Sequence, residues 1–189
     1  AAFQRAYSYA CLLSESECAE YFESLFQLLS SRKDKSPVGV MLSIFNHTIT
    51  ILYTKRGWHF FEYAFPYRYV FNSQQLATHL FWIFSQCNKN PAESSEAVKP
   101  EYQAFSIQIV VKKSTPINIE ALNTFHQESY SVEKSTVSII KDITTDLVFV
   151  VAAHGHVELL RRLINAGANL SIKDYRGTTA LHVAAYNGH

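Results

Sequence analysis

The chain of 189 residues has little of several residue types that mark particular folds and chemistries. Its three cysteines are an odd number at wide spacing, which argues against a disulfide framework and offers no paired metal-ligand motif. Its six glycines form no glycine-rich phosphate loop, and the G-x-S-x-G motif of serine hydrolases is absent from the sequence. We therefore expect no metal and no cofactor, and the unpaired thiols favour a reducing compartment.

The chain also lacks a strong net charge, since 17 Lys and Arg stand against 16 Asp and Glu. Proteins that bind phosphate backbones normally carry a basic field, so neither nucleic acid nor an anionic membrane is an expected partner. No apolar run approaches the ~18 residues of a membrane span, and the amino terminus lacks the regions of a signal peptide. A hydrophobic content of 48% is nevertheless enough for a folded core.

The first 112 residues predict helices that lead into an antiparallel sheet. Residues 2–13 are predicted to be helical, and a capping box at Ser14 begins a second helix. Strands are predicted over 38–54, and the aromatic run after a tight turn at Gly57 completes a hairpin. The remaining predicted elements are a short strand RYVF, an amphipathic helix QQLATHLFWIFSQC and a buried strand FSIQIVVK. The predicted class of this part is α+β.

A repeat of period 33 lies at the carboxyl end, where Gly155-His156 recurs as Gly188-His189. The residues between resemble the ankyrin repeat, with a helix at 157–165, Gly167 after it and Thr179-Ala180-Leu181-His182 opening the next helix. Ala180 departs from the usual proline of the family.

The ankyrin resemblance implies one and a half all-α repeats in 141–189, joined by a linker at 113–140, and a longer parent chain. Ankyrin repeats bind other proteins through their hairpin tips and inner helices. The residues that would present this surface are Lys173, Tyr175, Arg176, His154 and Tyr186. The alternative for each of these residues is an ordinary solvent-exposed side chain with no role in binding, because few interface residues carry the binding energy.

One His and carboxylate pair has catalytic spacing, namely His47 and Glu62, fifteen residues apart across the predicted hairpin. In such a pair the carboxylate can hold the imidazole in the tautomer that a general base needs. The flanking sequence, VMLSIFNHTITILYTKRGWHFFEYAF followed by RYVFNSQQLATHL and FSIQIV, resembles the second half of a papain-like peptidase. The closest resemblance is to bacterial effector cysteine proteases of the YopT type. It covers residues 37–112 and implies a papain-like lobe over 1–112.

Two departures from that family concern the catalytic residues. Glu62 stands where the family has Asp, and Tyr63-Ala64 replace its Pro-Asn. Cys11 is the best position for a nucleophile, although no Gly or basic residue adjoins it, and packing in the core is the alternative. In a variant of this hypothesis, His47, Glu62 and Cys87 follow the His-Glu-Cys order of acetyltransferase-type effectors.

The two resemblances together imply a cysteine protease-like domain whose ankyrin repeats bind a host protein. This layout is similar to that of effectors secreted into the host cytoplasm by intracellular bacteria such as Legionella. In an active enzyme of this kind, a thiol hydrolase or acyltransferase, His47 is the general base, Glu62 orients it and the repeats select the substrate. The alternative is a non-catalytic ankyrin binding protein with a degenerate protease-like scaffold.

Overall fold

A computed structural model describes residues 2–34, 36–44, 47–62, 65–87, 101–129, 147–174 and 176–189. Its centre is a six-stranded antiparallel sheet with the order β1-β6-β2-β3-β4-β5. The strands are β1 (Phe3–Ser14), β2 (Val38–Ser43), β3 (Thr48–Thr54), β4 (Gly57–Glu62), β5 (Phe65–Phe71) and β6 (Tyr102–Lys112). The helices are α1 (Glu15–Ser30), α2 (Ser73–Cys87), α3 (Ile119–Ser129), α4 (147–153), α5 (Val157–Asn165) and α6 (Ala180–Asn187).

The first element, β1, is a strand, so the predicted helix over 2–13 is wrong. It pairs with β6 from Phe3 opposite Lys112 to Ser14 opposite Tyr102, a contact between residues that are distant in sequence. The capping box at Ser14 is confirmed, because the Ser14 N–H donates to the Glu17 carboxylate at 2.7 Å and the Glu17 N–H donates to the Ser14 hydroxyl at 3.3 Å. Helix α1 therefore begins directly where β1 ends.

The predicted hairpins of the sheet are confirmed. Residues 38–54 form two antiparallel strands, and Gly57 makes the tight turn between β3 and β4 with a φ of 123°. A Cβ at Gly57 would lie 2.9 Å from the carbonyl oxygen of Phe71, so both the conformation and the space require glycine. The helix predicted after this hairpin is α2, and the closing buried strand is β6.

One side of the sheet, the first face, packs against α1 and α2 through aromatic side chains. The Phe105 ring of β6 lies 5.6 Å, centroid to centroid, from the Phe84 ring of α2. Trp58 of β4 is fully buried and meets the Phe22 ring of α1 edge-on at 5.3 Å. Two side-chain hydrogen bonds join the helices, from Thr78 to Glu15 and from Ser73 to Glu23.

Helix α3 lies within the segment predicted as a linker and packs on β1 and α1. Its His126 is completely buried, with ring centroids 5.0 Å from Tyr7 and 4.3 Å from Tyr9. The His126 Nδ1–H donates to the Leu122 carbonyl at 2.7 Å, so Nε2 accepts from the Tyr21 hydroxyl at 2.9 Å. Part of the predicted linker therefore belongs to the core.

The other side of the sheet, the second face, is covered by the C-terminal helices. Its buried residues on the three adjacent strands are Leu12 and four small residues: Ala10, Ser43, Ala104 and Ser106. His156, which follows α4, lies with its Nε2 at 3.0 Å from the Ser106 hydroxyl. All seven residues of 147–153 are buried, and five of them belong to one continuous hydrophobic core with the sheet: Leu147, Val148, Val150, Val151 and Ala152. The two predicted units thus share a core.

Gly167 ends α5 in the left-handed conformation expected of it, with a φ of 87°. A Cβ at this position would meet no atom within 4 Å, so a substitution there tests backbone strain alone. Gly167→Val is expected to lower the free energy of unfolding by about 1–2 kcal/mol, because a β-branched residue is strained at positive φ. Gly167→Asn should cost less, since Asn tolerates this conformation. Urea denaturation followed by circular dichroism measures both, and equal losses would contradict the argument.

Candidate functional site

Four residues singled out from the sequence line one cavity of about 700 Å³: His47, His154, Arg176 and Tyr186. We call this cavity the hairpin groove. One wall is the β2–β3 loop, with Ile44, His47 and Thr48. The other wall consists of the end of α4, the hairpin between α5 and α6, and one side of α6: Ala153, His154, Asp174, Arg176, Thr178, His182, Val183, Tyr186 and Asn187.

The sheet-side wall is fixed by hydrogen bonds across the β2–β3 hairpin. The Ile44 N–H donates to the His47 carbonyl at 2.9 Å, and the hydroxyls of Ser43 and Thr48 lie 2.8 Å apart. His47 is half-buried directly before β3, with its ring 6.1 Å from the Phe84 ring of α2. The hairpin therefore holds the His47 side chain at the border between the groove and the core.

His154 connects the two walls of the hairpin groove. Burial lowers the pKa of this imidazole, and a hydrogen bond to the Ile44 backbone carbonyl opposes the shift. Its neighbour His156 is also largely buried, and burial together with the charges of His154 and Arg5 lowers its pKa to about 4. Both rings are therefore neutral at pH 7, which allows them to lie against each other and against Arg5.

The hairpin wall is shaped by Asp174 and His182. The Asp174 carboxylate accepts from the N–H groups of Arg176 at 2.9 Å and Thr178 at 2.8 Å, which fixes the turn that presents Arg176. The Thr179 N–H donates to Nδ1 of His182 at 3.2 Å, so this histidine satisfies a free amide at the start of α6. Among the lining residues, Asp174 and His182 thus have structural roles. Tyr186, by contrast, exposes 92% of its surface to solvent.

The other predicted partner contacts lie apart from the groove or outside the described residues. Lys173 is exposed on the hairpin but is not among the lining residues, and Tyr175 lies outside the described residues. Glu62 is the last residue of β4, and its side chain also lies outside them. The ladder sets Thr50 opposite Phe61, so the backbone places Glu62 at the same end of the hairpin as His47. The catalytic pairing of His47 with Glu62 stays a prediction.

Cys11 has the surroundings of a core residue. It lies on the first face of β1 with 1% of its surface exposed, and burial and the Glu17 carboxylate raise the pKa of its thiol well above the usual range. Burial also raises the pKa of the neighbouring Cys18. A thiol in this environment holds very little thiolate at neutral pH, which disfavours a nucleophilic role. Cys87, the last residue of α2, is half-buried, and its role stays a prediction.

The residues that the structure describes contain no group of three or more His, Cys, Asp or Glu side chains placed to hold a metal ion. Within the same ranges, no helix has the length and hydrophobicity that crossing a membrane requires.

Comparison with known proteins identifies one part of the chain. No curated protein and no solved structure matches the chain. The family model of ankyrin repeats in many copies matches residues 148–189, the part that forms α4, α5 and α6. Ankyrin repeats generally mediate protein–protein interactions, and the hairpin groove is built largely from this part. The ankyrin resemblance predicted from the sequence is thereby supported at residues 148–189, which follow an antiparallel sheet with helices.

Proposed function

We propose that the protein binds a segment of another protein in the hairpin groove, between its ankyrin repeats and the β2–β3 loop. The observation that carries the proposal is the cavity that brings Arg176 and Tyr186 together with His47 and His154. Arg and Tyr are enriched at the energetically dominant positions of interfaces. A hydrogen bond between His154 and the Ile44 backbone carbonyl links the two walls of the groove, which favours a groove formed before any partner binds.

The groove favours a partner rich in hydrogen-bond acceptors. The Asp174 carboxylate already accepts hydrogen bonds from two backbone N–H groups of its own hairpin, and these partly compensate its negative charge. Arg176 supplies charged N–H donors, and a guanidinium can bind a carboxylate with two parallel hydrogen bonds. We infer that the bound segment carries Asp or Glu opposite Arg176 and an apolar or aromatic residue against Tyr186.

Arg176→Glu and Tyr186→Ala are each expected to weaken partner binding by about tenfold or more, because they remove the charged and aromatic anchors of the groove. The measurement is selection of binders from a proteome-wide protein display library, followed by titration of each selected protein. Arg161→Glu is the matched control, since Arg161 is an exposed residue of α5 outside the groove. Binders that tolerate both groove variants as well as the control would contradict the proposal.

A second candidate is the effector-type cysteine protease of the sequence analysis, acting on a host protein after delivery to the host cytoplasm. One observation favours it: after His47 the described elements are β3, a tight turn, β4, β5, α2 and β6, the order that the papain-like resemblance implies. The buried Cys11 weighs against an active form of this chain. The degenerate scaffold is therefore the better supported version, and in it His47 serves as a wall of the groove.

His47→Ala separates these two versions. In the binding protein, the variant is expected to melt close to the wild type and to weaken the groove's binders, because a half-buried residue contributes little packing. In the enzyme it would also abolish labelling of the protein by a thiol-reactive probe. A large drop in melting temperature with unchanged labelling would place His47 in the core. Unchanged melting with lost labelling would favour catalysis.

A further inference from the structure

A smaller cavity, of about 240 Å³, lies beside the tight turn between β3 and β4. Its lining comes from α1, from the turn with Trp58 after it, from the end of β5 and from the start of α2. We call this cavity the turn pocket. It shares no lining residue with the hairpin groove.

The turn pocket has an aromatic lining. Phe26, Trp58 and Phe71 line it, and the ring centroids of Phe26 and Trp58 lie 6.3 Å apart. Val70, with 48% of its surface exposed, adds an aliphatic side chain. Since an apolar cavity of about 150 Å³ holds benzene, the turn pocket has room for an aromatic ring with a short substituent. Aromatic rings of the protein favour such a guest.

The indole of Trp58 carries a hydrogen-bond donor that the described residues do not use. Trp58 is completely buried, and its Nε1–H has no hydrogen-bond partner among them. The rings of Phe22, Phe26 and Tyr53 pack against it. The oxygen that these rings offer, the Tyr53 hydroxyl, lies 2.8 Å from the Ser30 hydroxyl. Because buried donors in proteins are nearly always satisfied, an unused donor on a cavity-lining residue favours a ligand with an acceptor.

Two cations lie at the turn pocket. Lys55 and Arg56 are exposed, and neither forms an ion pair within the part of the chain that the structure describes. Asn72 and Ser73 line the pocket at the start of α2, whose first turn carries no acidic residue. The positive end of this helix dipole therefore also lies beside the pocket.

Glu23 is the single carboxylate among the lining residues, and both of its oxygens have partners. Oε2 accepts from the Ser73 hydroxyl at 2.9 Å, and Oε1 accepts from the Gln27 amide at 2.9 Å. The lining thus carries two cations against one carboxylate whose oxygens are already hydrogen-bonded. This balance favours an anionic ligand.

We propose that the turn pocket binds a small aromatic carboxylate. The ring of the ligand packs among Phe26, Val70 and Phe71, while its carboxylate accepts from the Trp58 Nε1–H and pairs with Arg56. A carboxylate has two oxygens and about four lone-pair sites, so one group can serve both donors. Inorganic phosphate would leave the aromatic lining unused, and a neutral aromatic ligand would leave the cations unused. The pocket is separate from the hairpin groove, so this inference does not depend on the proposed function.

The test is titration of the full chain with phenylacetate and benzoate, followed by proton–nitrogen correlation NMR of the indole groups. The chain has two tryptophans, so Trp82→Phe identifies the Trp58 resonance. We expect a saturable downfield shift of the Trp58 indole proton with a Kd of about 1 mM or lower. The resonance of Trp82, which lies on α2 outside the lining, should not move. Phenylacetamide, which has the shape of phenylacetate without its charge, should bind about tenfold more weakly or less tightly still.

Two pairs of variants test the polar and the apolar side of the pocket separately. Arg56→Glu should weaken phenylacetate binding by about tenfold or more, whereas Lys33→Glu, at an exposed residue outside the lining, should leave it nearly unchanged. Val70→Tyr fills the pocket from an exposed position and should weaken binding to a similar degree. Thr50→Tyr is its control, because Thr50 is an exposed strand residue outside the lining.

Several outcomes would overturn the proposal. The first is a Trp58 indole proton that does not shift with either acid up to about 10 mM, which would leave the aromatic rings as its sole neighbours. The second is equal binding of phenylacetate and phenylacetamide, or an equal shift with inorganic phosphate. The third is binding that fails to distinguish the pocket variants from their controls. A peptide ending in phenylalanine that binds while both free acids do not would assign the pocket to a chain terminus instead.

Discussion

Lowering the pH from 6.5 to 4 is expected to destabilise the protein by about 3 kcal/mol through His126 alone. Burial lowers the pKa of this ring from 6.5 to about 4 in the folded state, while the unfolded chain keeps the ordinary value. Below pH 6.5 the unfolded state therefore binds a proton that the folded state does not. The stabilisation is fully present above pH 6.5, falls as the pH drops through this window, and stops changing below about pH 4.

The surroundings of His126 explain why it resists protonation. Its Nδ1–H donates to the Leu122 carbonyl, and Nε2 accepts from the Tyr21 hydroxyl, so a second ring proton on Nε2 would force the Tyr21 O–H to turn away from the ring. The rings of Tyr7 and Tyr9 pack against it, and burial raises the pKa of Tyr7 to about 12, so this phenol stays neutral in the window. Neutral aromatic neighbours cannot compensate an imidazolium charge by ion pairing.

Two variants separate the titration of His126 from its packing. In His126→Gln, the slope of unfolding free energy against pH between 6.5 and 4 should fall by the contribution of about one proton, because Gln does not titrate. Tyr21→Phe removes a hydrogen bond worth about 1 kcal/mol at pH 7 but keeps the buried His126 ring. The slope of its unfolding free energy against pH should therefore equal that of the wild type. Urea unfolding at a series of pH values measures both. His156 adds a slope of the same sign, which is common to all three proteins. A full slope in His126→Gln would contradict the assignment.

The elements that sequence patterns predicted well are those fixed by local chemistry. The capping box at Ser14, the glycine turn at Gly57 and the helix at 157–165 each depend on residues close together in the chain, and each is present. The ankyrin period was visible for the same reason, because each repeat carries its own turn and cap residues. Local signals of this kind can be identified in the sequence without knowledge of the rest of the fold.

β1 was mispredicted because its partner lies about a hundred residues away. Its alternation of aromatic and small residues from Tyr7 to Ala10 has the period of a strand, but Ala and the following Leu residues also favour helices. The pairing with β6 decides between the two, and a short segment carries no sign of it. The small residues Ala104 and Ser106, set between the large Phe105 and Ile107, were the available signal that β6 is covered on both faces.

The hairpin groove could be predicted only in part, for a related reason. The sequence indicated His47 by its spacing from Glu62 and indicated Arg176 and Tyr186 by their places in the repeat. It gave no sign that these residues share a cavity, because that depends on α4 packing on the second face of the sheet. The hydrophobic run LVFVVAA at 147–153, buried all round, is the sequence feature that such packing requires.

The shared core predicts that the sheet and the ankyrin repeats unfold together. Val151 of α4 is completely buried in the continuous core, so Val151→Asp places a carboxylate without a partner in an apolar site. We expect this variant to lose more than about 3 kcal/mol of unfolding free energy. Val157→Asp is the matched control, because Val157 is 56% exposed in the first turn of α5, where a negative charge suits the helix dipole. Its change should stay within about 0.5 kcal/mol.

Tryptophan fluorescence shows where the loss occurs. The two tryptophans of the chain, Trp58 of β4 and Trp82 of α2, both lie in the sheet part, so their emission reports unfolding there and not in the repeats. If the sheet and the ankyrin repeats share a cooperative core, Val151→Asp shifts the urea midpoint measured by fluorescence as far as the midpoint measured by circular dichroism. This holds although Val151 lies in the repeats and the tryptophans do not. If they fold independently, fluorescence keeps the wild-type midpoint while circular dichroism alone shifts. In that case the ankyrin repeats would be a separate domain resting on the sheet, and the hairpin groove would lose the rigid second wall on which its proposed binding depends.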